Sequence, residues 1–84
     1  LEEIYPNPAK EELHIPIVLN ANQKIDLSLR NMMGQKVQTF VSNSKYLQGQ
    51  QLLNFKLHDI RAGVYVVELK TKDNTLTRKI VIQP

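Results

Sequence analysis

Apolar and polar residues alternate with a period of two along most of this sequence, and no segment maintains a helical period. Residues 13–17 and 25–30 show the alternation most clearly, with apolar side chains at the odd positions. Successive side chains of a β-strand point to opposite faces, so the pattern predicts strands that bury one face in a core. Pro16 cannot donate a ladder hydrogen bond, and we therefore expect its strand to lie at an edge or to carry a bulge.

Turn-forming residues separate the predicted strands. Residues 31–34 (NMMG) predict a tight reversal, and residues 73–74 (DN) predict a two-residue hairpin turn. Residues 42–50 are polar and predict a loop. In the strand before that loop, strict alternation directs Phe40 to the face opposite Val41.

The strand spacing and the short joins predict an all-β fold, an immunoglobulin-like antiparallel β-sandwich of about seven strands. A short pairing segment near Ile4 is counted as one of these strands. The 84 residues are enough for a single domain, residues 1–84, with a thin hydrophobic core.

Composition argues against several classes of function. A chain without cysteine has no disulfide, thiolate metal site or cysteine nucleophile, and small secreted domains often depend on disulfides, which mildly favours an intracellular protein. The net charge is +3, but the chain has no tryptophan and its basic residues form no dense stripe. We therefore expect no nucleic-acid partner. No run approaches the roughly 20 apolar residues of a membrane span, so no membrane insertion is expected. The start LEE is no signal peptide, and without an initiator Met we interpret the chain as a fragment.

The polar residues form no recognisable catalytic or metal-binding pattern. His14 and His58 are the only side chains that titrate near neutrality, and neither has a partner at metal-ligand spacing. No serine lies in a nucleophile elbow, and the three glycines are too far apart for a phosphate-binding loop. We therefore predict that the protein is not an enzyme and carries no catalytic residue, cofactor or metal ion.

The stretch IRAGVY at residues 60–65 carries the most specific local signal. A Tyr65 two residues after Gly63 is typical of the tyrosine corner of Greek-key sandwiches, in which the phenol hydroxyl binds a backbone group upstream. This is a structural role rather than a binding role.

The last two predicted strands could form a docking patch. Alternation directs an apolar pair, Val66 and Val81, away from the core, beside the basic Arg78 and Lys79. Scattered exposed apolar residues are common, so the pair can equally have no function. A terminal edge strand can also pair with another chain, which leaves dimerisation through that edge open.

Residues 1–9 form a lead-in that contains the Pro6-Asn7-Pro8 turn. Each proline pushes the preceding residue towards extended conformations, so the segment is stiff and non-helical. It is either an ordinary surface turn or a joint that directs the chain into the sandwich.

Several motifs occur together and in order along the chain. They are IYPNPA at residues 4–9, LSLRNMMGQKV at 27–37, Gly49, AGVYVVEL at 62–69 and TRKIVIQ at 77–83. As an ordered set, they resemble the C-terminal sorting domain (type A) of the type IX (Por) secretion system, found in cargo proteins of Bacteroidetes. Arg61 stands where the family often has proline or a small residue.

The resemblance implies a non-catalytic signal domain, fused behind a cargo protein, that directs the cargo across the outer membrane. It implies protein partners, namely the secretion machinery and a surface sortase that usually cleaves upstream of the domain. The cargo then passes through the periplasm to the cell surface or the medium, and the domain is released. Together with the outward position of Val66, the resemblance assigns recognition to these residues: Gly63, Tyr65, Val66, Thr77, Arg78, Lys79, Ile80, Val81, Ile82 and Gln83, with Tyr5, Pro6, Asn7 and Pro8 as the N-terminal motif.

Two other functions remain open at this point. An adhesion or carbohydrate-binding sandwich would need clustered exposed aromatic residues, for which Tyr5, Tyr46 and Phe40 are the candidates. A structural spacer within a secreted enzyme would need sequence that continues beyond Pro84. The sequence identifies neither the cargo, nor the cleavage site, nor the component that binds.

Overall fold

The protein contains six β-strands and no helix, in a computed structural model that describes all 84 residues. The predicted all-β class is confirmed. The structure therefore contains no helix that is long and apolar enough to cross a membrane. The strands are β1 (Glu12–Leu19), β2 (Gln23–Asn31), β3 (Lys36–Tyr46), β4 (Gly49–Lys56), β5 (Gly63–Lys70) and β6 (Thr75–Ile82).

The strands form two antiparallel sheets that enclose one core. The small sheet pairs β1 with β4, and the large sheet has the order β3-β2-β5-β6. The core is built from the positions that the period-two alternation predicted to face inwards, because each strand can bury only one of its faces. The fully buried large side chains are Leu13, Ile15, Ile17, Ile25, Leu27, Leu29, Val67, Leu69, Ile80 and Ile82.

The predicted first strand is present only as two isolated bridges, so the sandwich has six strands rather than about seven. Tyr5 pairs with His14 in the small sheet, and Ala9 then pairs with Ile82 in the large sheet. Pro6 and Pro8 lie between the two bridges, and the peptide bonds that precede them are cis. Because proline has no N–H group, this stretch cannot continue a ladder and passes from one sheet to the other.

The edge position predicted for Pro16 is confirmed. Its strand, β1, pairs on one side with β4, and the N-terminal segment lies along the other side. The Pro16 carbonyl accepts a hydrogen bond from the Glu2 N–H on that outer side, at 3.2 Å. The missing N–H therefore removes no hydrogen bond from the β1–β4 ladder.

The polar loop predicted at residues 42–50 is wrong, because β3 continues to Tyr46 and β4 begins at Gly49. The continuation is held partly by a side chain, since the backbone N–H of Asn43 donates to Asp26 Oδ1 at 2.8 Å. Polar residues fit this strand because it lies at the edge of the large sheet and is largely exposed.

The predicted direction of Phe40 is also wrong. The β2–β3 register shifts between Leu27 and Ser28, which leaves Phe40 as an extra residue beside Val41. Both side chains then join the core, and the Phe40 ring stacks on Phe55 of the facing sheet with centroids 4.8 Å apart. A β-bulge of this kind breaks the strict alternation on which the prediction depended.

Both predicted turns are present, and one of them is displaced. At the first, the Asn31 carbonyl accepts from the Gly34 N–H at 3.0 Å, and Gly34 has a φ of 85°. In the hairpin between β5 and β6, the Thr71 N–H donates to the Asn74 carbonyl at 2.8 Å, which places the turn one residue earlier than predicted. The Asn74 N–H donates to the Thr71 hydroxyl, so Asn74 closes the turn rather than forming its centre.

The tyrosine corner is confirmed. The Tyr65 hydroxyl donates to the Arg61 carbonyl at 2.7 Å, four residues upstream. This bond fixes the segment that crosses from β4 in the small sheet to β5 in the large sheet, next to the start of β5 at Gly63.

We expect Tyr65→Phe to lower the free energy of unfolding by about 1 kcal/mol, because the Arg61 carbonyl loses its partner while the ring still packs. Urea denaturation measures the change. Tyr46→Phe is the matched control, since Tyr46 also packs against the core. Equal destabilisation by the two variants would show that the corner hydrogen bond contributes nothing specific.

The paired chain termini as the candidate functional site

The N-terminal motif and the C-terminal strand form a single structural unit. The Ala9 N–H donates to the Val81 carbonyl at 2.8 Å, and the Gln83 N–H donates to the Ala9 carbonyl at 2.7 Å. The two segments run parallel here, and Ala9 is fully buried. The sequence motifs at the two ends of the chain are therefore neighbours in space.

Asn7 completes this pairing through its side chain. Its Oδ1 accepts a hydrogen bond from the Val81 N–H at 3.0 Å. An asparagine side chain can replace a backbone acceptor in this way, and the flanking Pro6 and Pro8 have no N–H to contribute. The Pro-Asn-Pro segment thus covers one end of the β6 edge instead of forming a free surface turn.

Arg78 contacts the start of the chain. Its Nη2 donates to the Leu1 carbonyl at 3.3 Å. Arg78 has the same strand parity as Ile80 and Ile82, so its side chain leaves β6 on the core-facing side and lies at the margin of the sandwich. A charge in this position also discourages unspecific pairing along the edge.

On the opposite, outer face of the hairpin lies a small apolar group. Val81 is directly opposite Val64, and these side chains are 40% and 44% exposed. Val66 and Val81 both point away from the core, as predicted, but they are not direct cross-strand neighbours, since Val66 lies opposite Lys79 and, on its other side, opposite Arg30. Neighbouring charges flank Val66, which is consistent with its partial burial.

The predicted recognition residues fall into accessible and inaccessible groups. Ile80 and Ile82 are each 1% exposed and pack in the core, while Gly63 and Tyr65 are partly buried at the corner. Strand alternation in the sequence already separated inward from outward positions in β6. The exposed members are Thr77, Arg78, Lys79, Val81 and Gln83, and in the N-terminal motif Tyr5, Pro6, Asn7 and Pro8.

The edge of β6 is covered only at one end. In an antiparallel pair, every second residue directs its N–H and C=O groups away from the neighbouring strand. Val81 does so and binds Asn7 and Ala9, so Thr77 and Lys79, which share its parity, direct theirs to the same edge. No other strand pairs with β6 on that side. Residues 75–79 therefore present an open stretch of sheet edge.

The two histidines take part in local contacts. His14 Nδ1 is hydrogen-bonded to Asn54 Oδ1, its Nε2 lies 3.5 Å from Glu12 Oε1, and its ring packs on Tyr5. The backbone N–H of His58 donates to Gln38 Oε1 at 3.0 Å. No group of three or more histidine, cysteine or acidic side chains lies close enough together to hold a metal ion.

The three aromatic candidates for carbohydrate binding do not form a platform. Phe40 and Tyr46 pack against the core, whereas Tyr5 is 46% exposed and leans on His14. Sugar rings usually stack on accessible aromatic faces, and only one such face is offered here.

Residues 3–83 match the family described as the secretion system C-terminal sorting domain. The chain belongs to this family. No curated protein and no solved structure gives a match. Membership assigns to the sorting domain a role as a type IX secretion signal, of the kind that Bacteroidetes attach to cargo proteins, and the family is defined by export rather than by a reaction. It implies contact with the secretion machinery and delivery to the cell surface or the extracellular space.

We expect Asn7→Ala to increase hydrogen exchange at the Val81 amide about fivefold, because losing one hydrogen bond costs about 1 kcal/mol. Nuclear magnetic resonance measures the exchange rate residue by residue. Asn7→Asp is the control, since its carboxylate retains an acceptor at the same place, and it should preserve the protection. Unchanged exchange in Asn7→Ala would mean that the side chain does not hold the β6 edge.

Proposed function

We propose that the secretion machinery recognises the sorting domain on the outer face and open edge of the β5–β6 hairpin. The observation that carries the proposal is the exposed Val64–Val81 pair, which lies beside the unpaired backbone groups of Thr77 and Lys79. An apolar contact next to an open strand edge can offer a partner both buried area and backbone hydrogen bonds.

The core residues of β6 support recognition indirectly. Ile80 and Ile82 anchor the strand in the hydrophobic core, and the tyrosine corner at Tyr65 fixes the start of β5. Rigid placement of a binding surface lowers the entropy that association costs. In this proposal, Gly63, Tyr65, Ile80 and Ile82 position the surface. The contacted residues are Val64, Val66, Thr77, Lys79 and Val81.

We further propose that a surface sortase removes the domain by cleavage upstream of Leu1, after transit through the periplasm. Leu1 lies beside Arg78, on the core-facing side of β6, so the chain enters the domain at the margin of the sandwich next to that strand. Residues 1–9 are then the lead-in of a single domain spanning residues 1–84, and Ile4 and Ala9 attach it to the core. The domain itself acts as a non-catalytic tag.

Val81→Glu should reduce the exported fraction of a full-length cargo at least about tenfold. A carboxylate placed unpaired in an interface costs on the order of 2 kcal/mol or more. Immunoblots of periplasm, cell surface and medium measure the export. Mass spectrometry of the exported cargo reports whether the domain has been removed.

Leu52→Glu is the matched control for this experiment. Leu52 is 50% exposed on β4, which pairs only with β1 in the small sheet, so a carboxylate placed there should leave export unchanged. Thermal unfolding of both variants establishes that each is folded. Equal export of the two folded variants would refute recognition at the hairpin face. Deleting residues 77–84 should trap the cargo in the periplasm, but it also removes Ile80 and Ile82 from the core.

Lys79→Pro tests the edge separately from the face. The substitution removes an N–H that points away from β5, as Pro16 lacks one on β1, so the hairpin ladder should persist. If a partner strand binds this edge, the export rate should fall about fivefold for one lost hydrogen bond. Lys79→Gln controls for the lost charge. Identical export of the two variants would restrict recognition to the outer face.

A further inference from the structure

A second surface feature lies at the other end of the β5–β6 hairpin. It is a cleft of about 440 Å³ with no apolar residue in its lining. The cleft lies where β2, β3 and β5 approach the hairpin turn, at the Lys70–Thr75 end of the hairpin rather than the Gly63–Ile82 end. Lysine side chains provide the positive charge, and Asn43 and Thr71 are among the uncharged polar residues.

The charge of this cleft is not balanced within the chain. Lys24, Lys70 and Lys72 line it, and none of them forms an ion pair, because the two ion pairs of the chain are His14–Glu12 and Arg30–Glu68. Asp26 is the only carboxylate in the lining and lies directly opposite Lys70, so it can offset one of the three lysine charges and leaves the other two. One of its oxygens already accepts from the backbone N–H of Asn43.

The strand register adds a fourth lysine next to the cleft. Lys45 of β3 lies directly opposite Lys24 of β2, and like charges in this arrangement repel each other. An anion bound between the lysines would remove the repulsion. The cross-strand pair is therefore an observation, separate from the cleft itself, that points to an anionic ligand.

We propose that this lysine cleft, lined by Lys24, Lys70 and Lys72, binds a phosphate group. Lysine ammonium groups are common phosphate ligands in proteins and act as point charges with several donors each. Amide side chains such as Asn43 can add uncharged donors to the phosphate oxygens. A protein partner fits less well, because the core of a protein interface is usually apolar and this lining is not.

The experiment titrates inorganic phosphate into the isolated domain and follows the backbone amide signals of Asn43 and Thr71. The cleft variant is Lys24→Gln with Lys70→Gln and Lys72→Gln. The control variant is Lys10→Gln with Lys36→Gln and Lys56→Gln, which removes the same charge from exposed lysines elsewhere. We expect saturable shifts in the wild-type protein, weakened at least about tenfold in the cleft variant and less than about twofold in the control.

Vesicles distinguish the source of the phosphate. If the ligand is a lipid headgroup, the domain should also sediment with vesicles containing phosphatidic acid and not with pure phosphatidylcholine, and the cleft variant should lose this binding. Binding of inorganic phosphate alone would support a soluble phosphorylated ligand.

Phosphate should also raise the melting temperature of the wild type but not of the cleft variant. Absence of binding to both probes, or equal weakening in the two variants, would overturn the proposal. The cleft is distant from Val81 along the hairpin. A negative result for phosphate binding would therefore leave the export test unaffected.

Discussion

The pairing of the first residues with the last strand is the contact on which this structure most depends. Ala9 exchanges hydrogen bonds with Val81 and Gln83, and Asn7 binds the Val81 N–H from the same side. Pairing residues so distant in sequence costs loop-closure entropy. The burial of Ala9 and Ile82 must offset this cost. Through this contact, a segment that looks like a linker becomes part of the folded domain.

The same contact divides the terminal strand into parts with different roles. One end of the β6 edge is occupied by the N-terminal segment, while residues 75–79 remain open. Inward side chains hold the strand in place, and outward ones remain accessible to a partner. A short strand can thereby be both a core element and a signal, because its two faces and its edge are independent surfaces.

Much of the fold could be predicted from residue order alone. Alternation around Leu13 and Leu27 identified the strands and their buried faces, and the spacing of Gly63 and Tyr65 identified the tyrosine corner. The predictions failed where contacts with a neighbouring strand overrode the local sequence pattern. β3 runs through polar residues because the Asp26 side chain supports Asn43, and Phe40 turns inwards because a bulge interrupts the alternation.

The sequence by itself determined the strand class and the faces that are buried, because both follow from local periodicity, and it contains the ordered motifs through which it resembles a sorting domain. Only the tertiary structure decided that Asn7 and Val81 meet, that Val81 lies opposite Val64, and that Lys24 lies opposite Lys45. Sheet order and the pairing of Asn7 with Val81 depend on contacts between segments far apart in the chain. In the β5–β6 hairpin the register follows from the turn, and a turn that lies one residue earlier than the local pattern predicts changes every cross-strand neighbour.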